Sequence, residues 1–276
     1  MDPDQKAELR AQIEDHLKTQ EPVAPIRTVH HFACTGGTLI CKFLATTPNA
    51  RVLSEIDPLS TISKAKFSPL DLALQYRNAE RNAGLVPRDE DLIEIFLAGL
   101  AVIYEKTRQR GERLVIRDHA HSHYCTGSYL PNRPNLRSIL KTQYTLLSVV
   151  TVRHPLDSYL SLLHNKFTHF DPGTLQDYAN RYMAFLDAHE GLPWISYETF
   201  LSDTEGTLQE LCKHLQLAYR PNLQSLISAI TLTGDSGRTG PLVAQRTRRE
   251  IPDQVAQMRS TSPAYDALCA RLRYDA

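Results

Sequence analysis

The chain has 276 residues, of which 42% are hydrophobic, and its 31 basic and 31 acidic side chains give a formal net charge of zero. This length and apolar content are enough for one large buried core, so a single domain over residues 1–276 is the simplest prediction. The balanced charge argues against a general nucleic-acid binder or a binder of acidic membranes.

The first 25 residues predict a polar helical extension ahead of the core, because residues 4–20 are polar and helical in pattern. The start of the chain lacks the basic and apolar regions of a signal peptide. The sequence contains no run of about 18 apolar residues, so no membrane span is predicted. The five cysteines are scattered without metal-binding spacing and fit reduced thiols. These features predict a cytoplasmic protein.

A strand, a glycine turn and a helix are predicted next, over residues 27–44. Glycines at a helix start expose backbone N–H groups to a phosphate or sulfate, and the helix dipole favours the anion. The spacing excludes a Walker A loop, since no Gly-Lys-Ser/Thr follows. The candidate anion-binding residues of this turn are Cys34, Thr35, Gly36, Gly37 and Thr38.

Strands and helices then alternate along the chain. This order predicts an α/β fold with a mostly parallel sheet that is covered by helices on both faces. The predicted elements are a strand from Arg51 to about Pro58, two helices within 69–110, a strand at 114–119, a long loop at 120–135, a strand at 146–152, helices at 156–168 and 174–188, a strand at 192–197 and a helix at 204–215.

A second candidate anion site follows the strand at 146–152. Arg153 comes at the carboxyl end of this apolar strand, and Pro155 opens a helix that carries Ser161 about two turns in. Arginine supplies a fixed fork of donors, to which the serine adds a hydroxyl. The alternative is an ordinary strand-to-helix corner with a surface arginine.

These two sites, in this order, resemble those of the sulfotransferases that use 3′-phosphoadenosine 5′-phosphosulfate (PAPS). In that family a Pro-Lys/Arg-Ser-Gly-Thr-Thr loop holds the 5′-phosphosulfate, and residues 33–38 lie over it. The family's arginine, with a serine eight residues later, binds the 3′-phosphate and matches Arg153 and Ser161. The chain departs from the pattern at Cys34, which takes the place of the basic loop residue.

Two later segments extend the resemblance. Tyr197 matches a family tyrosine near the adenine, in a strand that ends in Tyr-Glu. Residues 236–240 are similar to an Arg-x-Gly loop that closes over the 3′-phosphate, which implies donor contacts from Arg238, Thr239 and Gly240.

The resemblance implies a three-layer fold like that of the P-loop nucleotide-binding proteins, with a core over about 26–240 and a helical tail over 241–276. It implies PAPS as co-substrate and a carbohydrate or small-molecule acceptor with a hydroxyl or amine. A sulfuryl group carries less charge than a phosphoryl group, so no metal is required. Neither a nucleic acid nor a membrane is implied as a partner.

Catalytic candidates follow the strands, because ligands of such a sheet bind at the carboxyl ends of its strands. His119 aligns with the histidine base of the family's Lys-Thr-His motif, and Arg117 takes the place of the lysine that contacts the sulfate. Glu55 is the alternative base, since some bacterial and protein-tyrosine members use a glutamate after the second strand. A structural loop role for His119, and substrate binding or a helix cap for Glu55, stay open.

Two other functions remain compatible with the sequence. One is a nucleotide-dependent kinase with a degenerate phosphate loop, which the missing lysine after the glycines disfavours. The other is an inactive homologue that retains the nucleotide pocket, which Cys34 in the loop favours. Alternate residues of a strand share a face, so His119, His121 and His123 are candidate zinc ligands. No other ligand motif accompanies them.

Overall fold

Five parallel strands form the central sheet in the computed structural model, which describes residues 24–62, 70–233 and 248–276. β1 lies at the centre, between β3 and β5, and the strand order is β2-β3-β1-β5-β7. A second sheet consists of two short parallel strands, β4 and β6. The strands are β1 (Ile26–His31), β2 (Ala50–Ile56), β3 (Arg113–Asp118), β4 (Thr126–Gly127), β5 (Leu146–Val152), β6 (His169–Phe170) and β7 (Trp194–Ser196).

Helices cover both faces of the sheet, as crossovers between parallel strands require. The described residues contain α1 (Gly37–Thr46), α2 (Leu72–Asn82), α3 (Asp89–Gln109), α4 (Ala120–Tyr124), α5 (Leu136–Lys141), α6 (Pro155–His164), α7 (Leu175–Ala188), α8 (Tyr197–Ser202), α9 (Thr204–His214), a 3₁₀ helix (Leu223–Ala229), α10 (Asp253–Ser260) and α11 (Pro263–Leu272).

Three apolar clusters hold the layers together. The largest packs α4, α6, α7, α10 and α11 around aromatic residues such as Phe32 and Tyr182, whose rings stack at 4.5 Å. The second joins α1, α8 and α9 to β1 and β5, with Phe43 against Phe200. The third joins α3 and α5 to β1 and β3. The central strand is buried along its whole length, as expected of a strand with neighbours on both sides and helices on both faces.

The predicted α/β fold with a mostly parallel sheet is confirmed. Three local predictions differ. The segment 120–135 starts with α4 instead of an open loop, the β4–β6 pair was not predicted, and Tyr197 opens α8 instead of ending a strand. All three involve segments of six residues or fewer, which are too short to show a periodic pattern.

The structure describes the helices near the C-terminal end of the chain but not the helix predicted near its start. The predicted helix at 4–20 lies outside the described residues. At the other end, α10 and α11 both pack on α7. Among the helices of the described ranges, none combines the length and the apolar character that crossing a membrane requires.

Candidate active site

The glycine turn after β1 packs tightly against two aromatic rings. Gly36 precedes α1 with a φ of 91°, a left-handed conformation that glycine adopts without a steric penalty. The ring of Tyr197 covers Gly36, and the ring of His31 covers Gly37. The turn therefore presents the start of α1 at the carboxyl edge of the sheet, where N–H groups without intrahelical acceptors favour an anion.

We expect Gly36→Val to abolish donor binding. A Cβ at Gly36 would lie 2.2 Å from Cδ2 of Tyr197, and a β-branched residue resists the positive φ as well. The control is Gly99→Val in α3, where no atom lies within 4 Å of an added Cβ. Calorimetry with adenosine 3′,5′-bisphosphate measures binding, and thermal unfolding monitors the fold. A folded Gly36→Val protein with normal affinity would restrict the turn to a structural role.

Cys34 does not supply a charge to the turn. Its side chain is mostly buried, and burial raises the pKa of the thiol to about 11, so the group is neutral at physiological pH. The Sγ atom accepts a long hydrogen bond from Asn165 Nδ2 at 3.9 Å. The carbonyl oxygen of Cys34 accepts from Arg153 Nη1 at 3.2 Å. Arg153, which directly follows β5, brings a positive charge to this turn.

Thr35 connects the turn to the interior of the protein. Its hydroxyl is buried, donates to Phe32 O at 2.8 Å and lies 3.2 Å from Thr151 Oγ1 of β5. Thr38 lies partly exposed in the first turn of α1. The side chain of Thr35 is therefore turned inward, while that of Thr38 stays accessible at the helix start.

Arg153 is held by three neighbours. Besides Cys34 O, its Nη1 donates to Ser161 Oγ at 3.2 Å, and its guanidinium lies over the Tyr197 ring at 4.8 Å from the centroid. The Nε atom is buried without a hydrogen-bond partner among the described residues. A buried guanidinium N–H that lacks an acceptor is costly, and an anionic ligand would satisfy it. Arg153 and Ser161 therefore lie together, and their role in binding a phosphate stays a prediction.

The catalytic candidates form one polar chain across three strand ends. Arg117 Nε donates to His31 Nε2 at 3.0 Å, and Arg117 Nη2 forms an ion pair with Glu55. Glu55 Oε2 lies 3.3 Å from His119 Nε2. Arg117 Nη1 donates to Ser54 Oγ and Thr233 O, so every nitrogen of this buried guanidinium has a protein partner. Glu55 and His119, the two alternative bases of the sequence analysis, lie within ion-pair distance of each other.

A bulge in β2 brings Glu55 to His119. The pairing of β2 with β3 shifts register between Leu53 and Ile56, and Glu55 has a φ of 63°. A bulge re-aims a side chain, and a left-handed non-glycine residue is typical of functional sites. Burial raises the pKa of Glu55 to about 7, although the nearby Arg117 opposes the shift. Burial lowers the pKa of His119 below its ordinary value. Burial therefore disfavours the charged form of both side chains.

A buried ion pair supports the strand end that carries Glu55. Arg133 binds both carboxylate oxygens of Asp57, at 3.0 and 2.7 Å, and the Ser122 hydroxyl donates to the same carboxylate. Burial raises the pKa of Asp57, but the bonds from Arg133 and Ser122 outweigh it and the net shift is downward. Asp57 therefore stays ionised and ties the 120–135 segment to β2.

The structure brings the predicted site residues together in two neighbouring groups. The first contains Cys34, Thr35, Gly36, Gly37, Thr38, Arg153, Ser161 and Tyr197, and the second contains Glu55, Arg117 and His119. His31 links the groups, because its ring contacts Gly37 and its Nε2 accepts from Arg117. The predicted Arg238, Thr239 and Gly240 lie outside the described residues.

Sequence reasoning missed His31, Asn165, Arg133 and Ser122 as parts of the site. His31 had a usable signal, since it is the last residue of the strand before the glycine turn and packs against the following helix. Asn165 and Arg133 lie in connecting segments, and their contacts depend on the tertiary fold.

No protein-family model and no curated protein matches the sequence. Among solved structures, the sulfotransferase domain of the olefin synthase from Synechococcus PCC 7002 is 20% identical, with a TM-score of 0.53 over 91% of this chain and 95% of that chain.

Two further sulfotransferase structures are less similar. Mouse SULT7A1, crystallised with PAP, is 13% identical with a TM-score of 0.42, over 91% of this chain and 85% of that one. STF9 from Mycobacterium avium is 12% identical with a TM-score of 0.48, over 96% of this chain and 81% of that one. Taken with the parallel five-stranded sheet, the likeness to the olefin synthase domain shows that this chain has the P-loop-like α/β fold of a sulfotransferase domain.

Proposed function

We propose that this protein is a sulfotransferase that moves a sulfuryl group from PAPS to a hydroxyl or amine of a carbohydrate or small-molecule acceptor. The observation that carries the proposal is the juxtaposition of an anion site with a proton-accepting pair at one sheet edge. Arg153 has a buried N–H without an acceptor, and His31 connects the adjacent glycine turn to the Arg117–Glu55–His119 chain.

The 3′-phosphate and the 5′-phosphosulfate of the donor would bind to different groups of residues. Arg153 and Ser161 would hold the 3′-phosphate, because a guanidinium and a hydroxyl match phosphate oxygens. The start of α1 would hold the 5′-phosphosulfate through backbone N–H groups. Tyr197 would support both parts of this site, since its buried ring contacts Gly36 and the Arg153 guanidinium.

His119 would accept the proton that the hydroxyl or amine of the acceptor molecule loses. In this proposal His119 Nε2–H donates to Glu55, which leaves the lone pair of Nδ1 to accept the proton. Glu55 then stabilises the imidazolium that forms, and Arg117 fixes Glu55. Because all nitrogens of Arg117 are engaged within the protein, we assign it a positioning role in place of direct contact with the sulfate.

Ligand-induced stabilisation tests the donor class. A ligand that binds only the folded state raises the Tm, so adenosine 3′,5′-bisphosphate should stabilise the protein and ATP with Mg²⁺ should not. The reverse result would contradict the proposal and favour a kinase. Transfer of labelled sulfate from PAPS to a panel of glycans, phenols and amines then tests catalysis. Binding without transfer to any acceptor would indicate the inactive homologue that Cys34 also fits.

The pH dependence of kcat/KM should show an acidic limb near pH 7. The pKa of Glu55 is raised to about 7, so its carboxylate is present above this pH and is protonated as the pH falls below it. A protonated Glu55 cannot stabilise the imidazolium, so activity is lost on the acidic side. Glu55→Gln should remove this limb, as measured by initial rates between about pH 5.5 and 9. A limb that persists unchanged in Glu55→Gln would belong to another group.

The cysteines are compatible with a reducing compartment. All five are unpaired, and four of them are buried. We therefore propose a cytoplasmic location, where thiols stay reduced. Fractionation of cells that express the full chain would test it.

A further inference from the structure

Two histidines and one aspartate meet in the interior of the protein, and none of them belongs to the donor or base groups of the proposed reaction. His30 is in β1, Asp118 ends β3, and His189 directly follows α7. Their side chains offer three ligand atoms that all lie within 4.8 Å of one another. Each residue is nearly or fully inaccessible, with 0% exposure for His30, 3% for Asp118 and 2% for His189.

Hydrogen bonds fix the protonation of His189. Its Nδ1 lies 2.7 Å from Phe185 O, and a carbonyl only accepts, so Nδ1 carries the hydrogen. The lone pair of the neutral ring is then on Nε2. This atom is buried and has no hydrogen-bond partner within the described parts of the chain. Arg137 lies close enough to lower the pKa of both His30 and His189, but its guanidinium makes no hydrogen bond with His189 Nε2, so this lone pair stays available to a bound cation.

Hydrogen bonds also indicate which ring nitrogen of His30 carries the hydrogen. The Thr28 hydroxyl donates to Ser148 Oγ at 2.7 Å, so it accepts from His30 Nε2–H at 2.9 Å. The lone pair of His30 is then on Nδ1, which faces Asp118 Oδ2 at 2.8 Å. Two lone pairs at this distance require a proton or a cation between them. A proton on Asp118 would satisfy His30 and still leave His189 Nε2 without a partner.

We propose that His30 Nδ1, Asp118 Oδ2 and His189 Nε2 bind one Zn²⁺ ion. Imidazole nitrogens and a carboxylate are ordinary zinc ligands, and the Phe185 and Thr28 contacts are the outer bonds that orient ligating histidines. Bonds of about 2.0–2.2 Å in a tetrahedral site place ligand atoms roughly 3.4 Å apart. Small side-chain rotations would bring the three atoms from their present spacing to that distance.

The described residues supply three of the four ligands of a tetrahedral site, and the role of this ion would be structural. The three ligands come from β1, β3 and the end of α7, so the ion would join the sheet to the helical layer. Asp118 directly precedes His119, and its fixation would hold the strand end that presents the proposed base. The inference does not depend on sulfuryl transfer, and no step of the proposed reaction passes through the metal.

Metal content of the wild-type protein is the first test. The full chain, expressed with zinc and purified without a histidine tag, should carry close to one zinc per chain by inductively coupled plasma mass spectrometry. Removal with a chelator should lower the Tm, and added Zn²⁺ should restore it. Co²⁺ should give visible bands of a four-coordinate nitrogen and oxygen site without thiolate charge transfer. A chain that neither holds nor takes up zinc would overturn the proposal.

Substitutions locate the ion. Asp118→Asn keeps the shape of the side chain, and His189→Leu keeps an apolar volume; each should weaken zinc binding more than about 100-fold, since even outer-shell partners account for about 10–100-fold. His164→Ala removes an exposed histidine at the end of α6 and should change nothing. Full zinc occupancy in both ligand variants would also overturn the proposal. If either variant fails to fold, the Co²⁺ spectrum and stoichiometry of the wild-type protein decide.

Discussion

Replacement of His119 by alanine should lower kcat by a factor of about 10²–10⁴, which is the usual contribution of a positioned general base. The side chain lies 3.3 Å from Glu55 and is separate from the Arg153 group, so affinity for adenosine 3′,5′-bisphosphate should stay nearly unchanged. Labelled sulfate transfer to the acceptor found in the panel measures kcat, and calorimetry measures binding.

Glu55→Gln is the matched test of the alternative base. Its amide oxygen can still accept the His119 N–H but carries no charge, so a supporting Glu55 predicts a smaller loss than that of His119→Ala. The double variant should be little worse than His119→Ala alone, because residues that act as a unit are not additive. Full activity in His119→Ala together with an inactive Glu55→Gln would transfer the role of base to Glu55.

Arg153→Ala should weaken binding of adenosine 3′,5′-bisphosphate by about 2–4 kcal/mol, or about 30- to 900-fold in Kd. The variant removes a charge-assisted contact and leaves a ligand phosphate without its partner. It also releases Ser161, the Cys34 carbonyl and the Tyr197 ring, which all contact the guanidinium. Calorimetry measures the affinity.

The control for charge is Arg271→Ala, which removes an arginine of a partly exposed ion pair with Asp187 between α11 and α7. Its affinity for the bisphosphate should equal that of the wild type, since such pairs contribute little. Equal affinities in both variants would exclude Arg153 from the phosphate site. Thermal unfolding of Arg153→Ala then shows whether the fold survives the loss of the contacts.

The sheet could be predicted because its strands have strong local signals. β3 and β5 contain apolar runs that polar residues follow, and helices with a periodic pattern separate them. Short elements carried no such signal. α4 has five residues, and β4 and β6 have two each, so their conformation depends on contacts such as those of Arg181 with Tyr124 O, Thr126 O and Gly127 O.

The site was predictable where residues follow strands and hidden where the backbone departs from regular geometry. Arg153, Glu55 and His119 could be placed at the sheet edge because parallel strands end there. The contact between Glu55 and His119 depends on the β2 bulge, which has no glycine or proline to mark it. The His30–Asp118–His189 cluster joins residues far apart in the sequence and could not be recognised from spacing.

The position of Cys34 has a practical consequence for handling the protein. A cysteine in a phosphate-binding turn is normally a concern for alkylation and oxidation, because such turns attract anions and favour the thiolate. Here burial raises the thiol pKa to about 11, so only about one molecule in 10⁴ carries the reactive thiolate at pH 7. The other four thiols are buried as well. Iodoacetamide or maleimide should therefore react with the folded protein slowly, and thiol labelling becomes a direct readout of unfolding.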